Sequence, residues 1–275
     1  MVDHAGSRHS LPYDVNLSIL FTELPLLERA EAARALGFKA VEYWWPFDVA
    51  VPSDTDVDQF VASIVEARLT LVGLNFFAGD MAAGERGIVS APGREAEFAD
   101  SVAIAVHIAE RLGCRSFNAL YGNRIDGVDA SAQDEVALSN LDVAANAAAR
   151  IGAGLVLEPL SGLESHPLKT AADAFAVIDK LGRDDVRLLA DLYHLATNGD
   201  DLDAVIAEYT PRIGHVQIAD VPGRNQPGTG SLDLEGYLEK LQNAGYAGHV
   251  GIEYKPLGGS VESFGWLPQT RRGQR

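Results

Sequence analysis

The chain is 275 residues long, 47% hydrophobic, and carries 39 acidic against 22 basic side chains for a formal charge of −17. That length and apolar content can bury one large core. The acidity argues against a phosphate backbone as partner, because nucleic-acid binders need a basic face to displace counterions. A small-molecule substrate suits the charge better. The single cysteine, Cys114, cannot form an internal disulfide and has no base near it in a recognisable motif. It reads as a packed residue compatible with a reducing compartment. No apolar stretch reaches membrane-spanning length, and the polar residues 1–12, with Asp3, His4, Arg8 and His9, lack the apolar core of a signal peptide. A soluble, cytoplasmic protein is expected, with no nucleic-acid or membrane partner and with residues 1–12 a flexible extension.

From residue 13 onward strand-like apolar runs alternate with amphipathic helical stretches. A strand over 15–20 leads to a helix over 26–36, 40–44 leads to 56–67, 70–75 to 94–112, and 116–121 to 133–151. The second half continues with 154–158 and 170–181, 186–191 and 201–209, 213–219 and 234–244, and a last strand over 249–253. Eight strands in βαβ order predict a closed (β/α)8 TIM barrel of the α/β class, a single domain over 13–266. Gly37, Gly113, Gly152, Gly182 and Gly245 each fall between a helix and the next strand, where a left-handed C-cap is wanted. An open doubly wound sheet is the alternative, but the segment after the first strand has no glycine-rich phosphate turn. The basic residues Arg271, Arg272 and Arg275 mark 267–275 as a flexible, solvated tail.

In such barrels functional groups stand at the C-terminal ends of the strands. Here that rim reads Asn16 or Ser18, Glu42, Asn75, Asn118, Glu158, Asp191, Gln217 and Glu253. The last four follow buried apolar runs on successive strands, and four hard oxygen donors converging at one rim form a candidate divalent-metal site. Singly, each could as well cap a helix or be solvated. Three carboxylates and an amide carry a formal charge of −3, which a divalent ion reduces to −1. The donor set favours Mg2+ or Mn2+ over zinc, which usually takes histidine or cysteine. The aromatic run from Tyr43 to Phe47 is expected either to wall the barrel mouth or to pack beneath loops.

Several longer motifs carry a family resemblance. They are Ala78-Gly-Asp-Met-Ala-Ala-Gly-Glu-Arg-Gly87, Pro92-Gly-Arg-Glu95, Leu157-Glu-Pro159, Asp191-Leu-Tyr-His194, Gly214-His-Val-Gln-Ile-Ala-Asp220, Pro227-Gly-Thr-Gly230 and Glu253-Tyr-Lys-Pro256. From about residue 15 to about residue 266 the chain resembles the hydroxypyruvate isomerase family, within the xylose isomerase-like TIM barrels. The resemblance implies metal ligation by Glu158, Asp191, Gln217 and Glu253, with Glu158 and Glu253 as the acid/base pair. It also implies that His194 and Arg224 reach the substrate. Ketose 3-epimerases resemble the chain at three ligands but generally place a histidine at the Gln217 position. Leu74 departs from a histidine the family often has before the third-strand asparagine, Asn75.

The chemistry implied is interconversion of hydroxypyruvate and tartronate semialdehyde through an enediolate, with a carboxylate removing a proton from one carbon and a carboxyl group returning it to its neighbour. The substrate, a small hydroxy-keto acid, needs a counter-charge for its carboxylate, for which Arg86, Arg94, Arg224 and Lys255 are candidates. Arg86 lies in a glycine-rich loop and either closes over substrate or pairs with Glu85 or Asp80. Lys255 either binds substrate or neutralises the acidic rim. His194 and Asn75 are further candidate contacts, and His215, one layer deeper than Gln217, reads as a core or supporting group. The rival readings are a 2-oxo-tetronate isomerase, a ketose 3-epimerase using the same site, a non-catalytic sugar-binding barrel, and an endonuclease IV-like DNA-repair barrel. Both glutamates are present, which opposes the non-catalytic reading, and the absence of rim histidines and of a basic crescent opposes the last. Apolar loops leave room for a homo-oligomer.

Overall fold

The computed structural model describes residues 8–273; the first seven residues and the last two, including Arg275, lie outside the described residues. Eight parallel strands close on themselves in sequence order. They are β1 (Tyr13–Asn16), β2 (Ala40–Tyr43), β3 (Thr70–Asn75), β4 (Ser116–Asn118), β5 (Gly154–Leu157), β6 (Val186–Asp191), β7 (Ile213–Ile218) and β8 (Val250–Ile252). Between them run the helices Arg29–Ala35, Asp54–Glu66, Glu95–Leu112, Ala130–Ala149, Ala171–Leu181, Leu202–Tyr209 and Leu234–Asn243. The TIM barrel expected from the sequence is therefore present, with strand ends shifted by a few residues. All five glycines expected to end helices have left-handed φ values between 62° and 101°.

The pleat sorts side chains into two sets. On β7, Val216 and Ile218 belong to the apolar core, whereas His215 and Gln217 both bond to Glu42 on β2. Strands 2 and 7 are not neighbours, so these three side chains meet inside the barrel. Neighbouring rim residues are in register: Asn16 is opposite Glu42, Asn75 opposite Asn118, and Asp191 opposite Gln217. Register shifts between Val41 and Glu42 and between Leu188 and Leu189 re-aim the two strand ends that carry Glu42 and Asp191, a use that irregularities near active sites often have.

Two differences from expectation concern the chain ends. The described part of the N-terminal extension is packed, with His9 and Leu11 buried; Ser10 N donates to Gln242 Oε1 at 2.7 Å. The segment read as a solvated tail folds back as well. Residues Gln269–Arg272 form a helical turn, Arg271 is buried with its guanidinium over the Tyr13 ring, and Arg272 donates to the carbonyl oxygens of Phe264, Leu267 and Leu36. Guanidinium groups suit this position because their donors match last-turn carbonyls while their stems cover apolar surface. No helix among the described residues is long and apolar enough to cross a membrane.

Deleting residues 269–275 removes this set of hydrogen bonds and should lower stability by about 2 kcal/mol, at ~1 kcal/mol for each effective bond. Urea unfolding followed by circular dichroism checks this, and an unchanged midpoint would show that the packed end contributes nothing.

Candidate active site

Four acceptor groups meet at the C-terminal mouth of the barrel. Glu158 directly follows β5, is buried, and accepts from Asn118 Nδ2 at 2.7 Å on Oε2. Asp191 ends β6 and caps the short helix Leu192–Thr197: Oδ1 accepts from Tyr193 N at 2.8 Å, while the buried Oδ2 has no hydrogen-bond partner. Gln217 donates from Nε2 to Glu42 Oε1 at 2.7 Å, leaving its buried Oε1 unpartnered. Glu253 accepts from the Trp44 indole N–H and from Asn16 Nδ2 on Oε1 and from Arg224 on Oε2 at 2.8 Å. Helix capping and metal binding were alternative readings of Asp191; its two oxygens leave room for both.

This cluster is short of positive charge. Burial, and then the charges of Glu253 and Asp191, push the Glu158 carboxyl well above its usual range. Burial likewise pushes Glu253 up to about 7, although Arg224 opposes the shift. Two buried oxygens without partners, beside carboxylates that burial penalises, fit a hard divalent cation. Oxygen and ring-nitrogen atoms of Glu158, Asp191 and His194 lie within 4.8 Å of one another. The hydrogen bonding of His194 nevertheless sets it apart from the oxygen donors. Its Nδ1 accepts from the Ser161 backbone N–H at 2.9 Å, with the Ser161 hydroxyl also 2.7 Å away, so the ring proton of the neutral form sits on Nε2. Burial lowers His194 to about 4, which keeps the ring neutral. Nε2 therefore carries a hydrogen toward Asp191 Oδ2, 3.6 Å away, and acts as a donor rather than as a cation ligand.

The cluster opens into a cavity of about 640 Å3. Asn75, Arg86, His194, Arg224 and Lys255, all expected to contact substrate, line it together with Glu158 and Glu253. The four candidate cations differ in their surroundings. Arg94 pairs with Glu85 at 2.6 Å and also grips Glu97, so it braces the glycine-rich loop and does not line the cavity. Arg86 donates to the carbonyl oxygens of Met81 and Glu85 and has no acid partner among the described residues. Arg224 is committed to Glu253, with Asp191 Oδ2 3.7 Å away. It is carried on a loop folded around Asp220, whose carboxylate accepts from the backbone N–H groups of Val221, Leu232, Gly228 and Gly230.

Part of the aromatic run faces elsewhere. Trp44 lines the cavity, whereas Trp45 and Phe47 pack edge to face on each other and against Phe77 and Phe60.

The xylose isomerase-like TIM barrel family model matches residues 30–270. A putative hydroxypyruvate isomerase of Streptomyces coelicolor is 51% identical over 96% of this chain and 98% of its own length. Hydroxypyruvate isomerase of Escherichia coli is 34% identical over 95% and 100%. The chain belongs to the hydroxypyruvate isomerase family of xylose isomerase-like TIM barrels. A 2-oxo-tetronate isomerase of Cupriavidus necator is also similar, at 33% identity over 93% of this chain and 96% of its own. Among solved structures, a Brucella melitensis protein described as an AP endonuclease, family 2, aligns with a TM-score of 0.86 and 35% identity, covering 94% of this chain and 98% of that one.

In this member of the family the supporting residues were the hardest to see from sequence. Asn16, Glu42, Asn118 and Trp44 each bond to one of the four strand-end groups. The first three appeared as polar rim positions without a role, and Trp44 only as part of an aromatic run. Ser161 meets His194 Nδ1 with both its backbone N–H and its hydroxyl, 33 residues away in sequence, a pairing no motif announced. If Ser161 N–H sets the ring, 15N NMR of His194 should show the Nε2–H tautomer across neutral pH, and should still do so in Ser161→Ala, which keeps the backbone donor. A Nδ1–H signal in either protein contradicts the assignment.

Proposed function

We propose that the protein is a divalent-metal-dependent isomerase that interconverts hydroxypyruvate and tartronate semialdehyde. The observation that carries this reading is the pair of unpartnered buried oxygens, Asp191 Oδ2 and Gln217 Oε1, beside Glu158 and Glu253 in a cavity that Arg86 and Lys255 also line. Glu158, Asp191, Gln217 and Glu253 would hold the ion, with Mg2+ or Mn2+ suited to an all-oxygen set. When bound, such an ion supplies Lewis acidity toward adjacent carbonyl and hydroxyl oxygens.

The side chains account for the rest of the chemistry. Glu158 and Glu253, on strands 5 and 8, approach the cavity from different sides, so one can take a proton from C3 of hydroxypyruvate while the other delivers one to C2. The hydroxyl proton passes from O3 to O2, which completes the exchange of carbonyl and hydroxyl. The His194 Nε2–H can donate to a substrate oxygen as negative charge builds on it. Since Arg224 is held on Glu253 and Arg94 on Glu85, we assign the substrate carboxylate to Arg86 and Lys255, with Asn75 a neutral contact beside them.

A 2-oxo-tetronate is the second reading. The cavity of about 640 Å3 has room beyond a three-carbon acid, and the relative from Cupriavidus necator carries that activity in its name. Gln217 in place of the expected histidine speaks against a ketose 3-epimerase. A DNA-repair role is opposed by the charge of −17 and by Asn75 and Asn118 standing at the third and fourth strand ends.

The deciding experiment is an isomerase assay with hydroxypyruvate, 2-oxo-tetronates and ketohexoses after chelator treatment. Activity should vanish on chelation and return with Mg2+ or Mn2+, and Asp191→Ala should bind the metal more weakly; full turnover in the metal-free protein would falsify the reading. Glu158→Gln and Glu253→Gln keep an oxygen ligand and should each lower kcat at least ~100-fold. Normal turnover by both variants would rule out proton transfer by this pair. Arg86→Met and Lys255→Met should raise KM for hydroxypyruvate far more than for dihydroxyacetone, which has no carboxylate to lose a partner. Equal losses on both compounds would favour a sugar as substrate.

A further inference from the structure

Beneath the mouth lies a second buried polar group, Asp14, Glu42 and His215. Glu42 is its hub. Oε1 accepts from Gln217 Nε2 at 2.7 Å and from Asn16 Nδ2 at 3.1 Å, and Oε2 lies 2.6 Å from His215 Nε2. Asn16 Nδ2 also donates to Glu253 Oε1 at 3.1 Å, and its orientation is fixed because Oδ1 accepts from Ser18 N at 2.9 Å. Glu42 thus touches one of the four strand-end groups directly and a second through Asn16.

The barrel interior leaves space for this side chain. A Cβ on Gly251 would fall 2.7 Å from Glu42 Oε1 and 2.9 Å from Gln217 Cγ, and one on Gly73 would come within 3.4 Å of Glu42. Neither glycine is needed for a left-handed backbone, so room for Glu42 and Gln217 is what their missing side chains provide.

A glutamine has two unlike ends, and only its oxygen can ligate a cation. With a carboxylate on one side, the amide N–H2 is drawn to that side and the oxygen is turned away. Gln217 shows this arrangement, with Nε2 on Glu42 and Oε1 buried and unpartnered. We propose that Glu42 is a positioning residue that fixes which end of the Gln217 amide faces the carboxylate cluster, and so decides whether Gln217 serves as a metal ligand. This rests on the metal site proposed above. Groups that orient a ligand from behind are typically worth ~10- to 100-fold in metal affinity.

The test is Mn2+ binding to the metal-stripped full chain by titration calorimetry, which requires no turnover. Glu42→Met removes the carboxylate that accepts from the Gln217 amide and should weaken binding at least ~10-fold. Glu42→Gln loses the same charge but keeps an amide oxygen as acceptor, and should lose clearly less. In the double variant E42M/Q217E, a carboxylate at 217 presents an oxygen whichever way it turns. The formal charge of the site equals that of the wild type, and affinity should return to near the wild-type value.

Unchanged binding in Glu42→Met overturns the proposal. So does an equal loss in Glu42→Gln, which would make the effect one of charge, and so does failure of the double variant to recover, which would make it general damage. If the Glu42 variants do not fold, 15N-labelled wild-type protein still decides: the Gln217 side-chain N–H2, bonded to Glu42, should be protected from solvent exchange in both the metal-free and the Mg2+-loaded protein, and free exchange of both protons overturns the proposal. Failure of the wild type to bind Mn2+ or Mg2+ at all overturns the metal site itself, an outcome distinct from each of these.

Discussion

The constraint on which this barrel depends is the burial of like charge. Glu158, Asp191 and Glu253 are all nearly inaccessible to water, and carboxylates in that position repel one another with little screening. Each local feature of the mouth answers this problem. Amide and indole donors from Asn118, Asn16 and Trp44 approach the glutamates. The loop folded on Asp220 brings one guanidinium to Glu253. One layer below, Glu42 is held ionised: burial alone would raise it, but the charge and hydrogen bond of His215, with Gln217 and Asn16, outweigh that. His215 is correspondingly pushed up to about 9, Glu42 overcoming the effect of burial. A scaffold that tolerates such a cluster is less stable for it, and a cation that binds only the folded form returns stability by linkage.

The apolar shell is what holds these groups in place. Strand residues facing the helices form one continuous core with them, so the inward set is fixed by the outward set through the two-residue pleat. Slipping any strand by one position would bury its polar groups against helices and turn its aliphatic groups into the mouth. The precision of the site is therefore inherited from contacts that never touch it.

Much of the fold was legible because its signals are local. Helix caps, glycine C-caps and apolar alternation lie within a few residues of one another, and β3 and β6 fall where the sequence put them. Strand ends were less legible at β1 and β4: residues 17–20, apolar but for Ser18, and 119–121 continue the pattern but lie outside the ladder, with Leu17, Leu20 and all of 119–121 buried. The short helix Leu192–Thr197 follows β6 without a break, too brief to show a period. Arg271 and Arg272 read as solvated because charge was weighed without the Tyr13 ring and the carbonyl oxygens they meet. At the site, the strand-end acids and Gln217 were legible from motif and position. The position of Glu42 was legible too, but not its role, since its partners on β7 lie 173 and 175 residues away and such contacts across a barrel leave no pattern in sequence. Arg86 was favoured over Arg94 from its place in the glycine-rich loop, with a pair to Glu85 or Asp80 as the alternative, and only the folded loop shows that Glu85 pairs with Arg94 instead.

The contact between Ser161 N and His194 Nδ1 bears on how this site can change over evolutionary time. The histidine's donor face is specified by the peptide backbone, a group present in every residue type except proline. The Ser161 hydroxyl adds a second contact to the same nitrogen at 2.7 Å, but a change of side chain at 161 that reshapes the cavity wall would leave the backbone donor, and so the proton on the facing ring, in place. A pocket built this way can explore new substrates at its rim without rewriting the polarity of its floor.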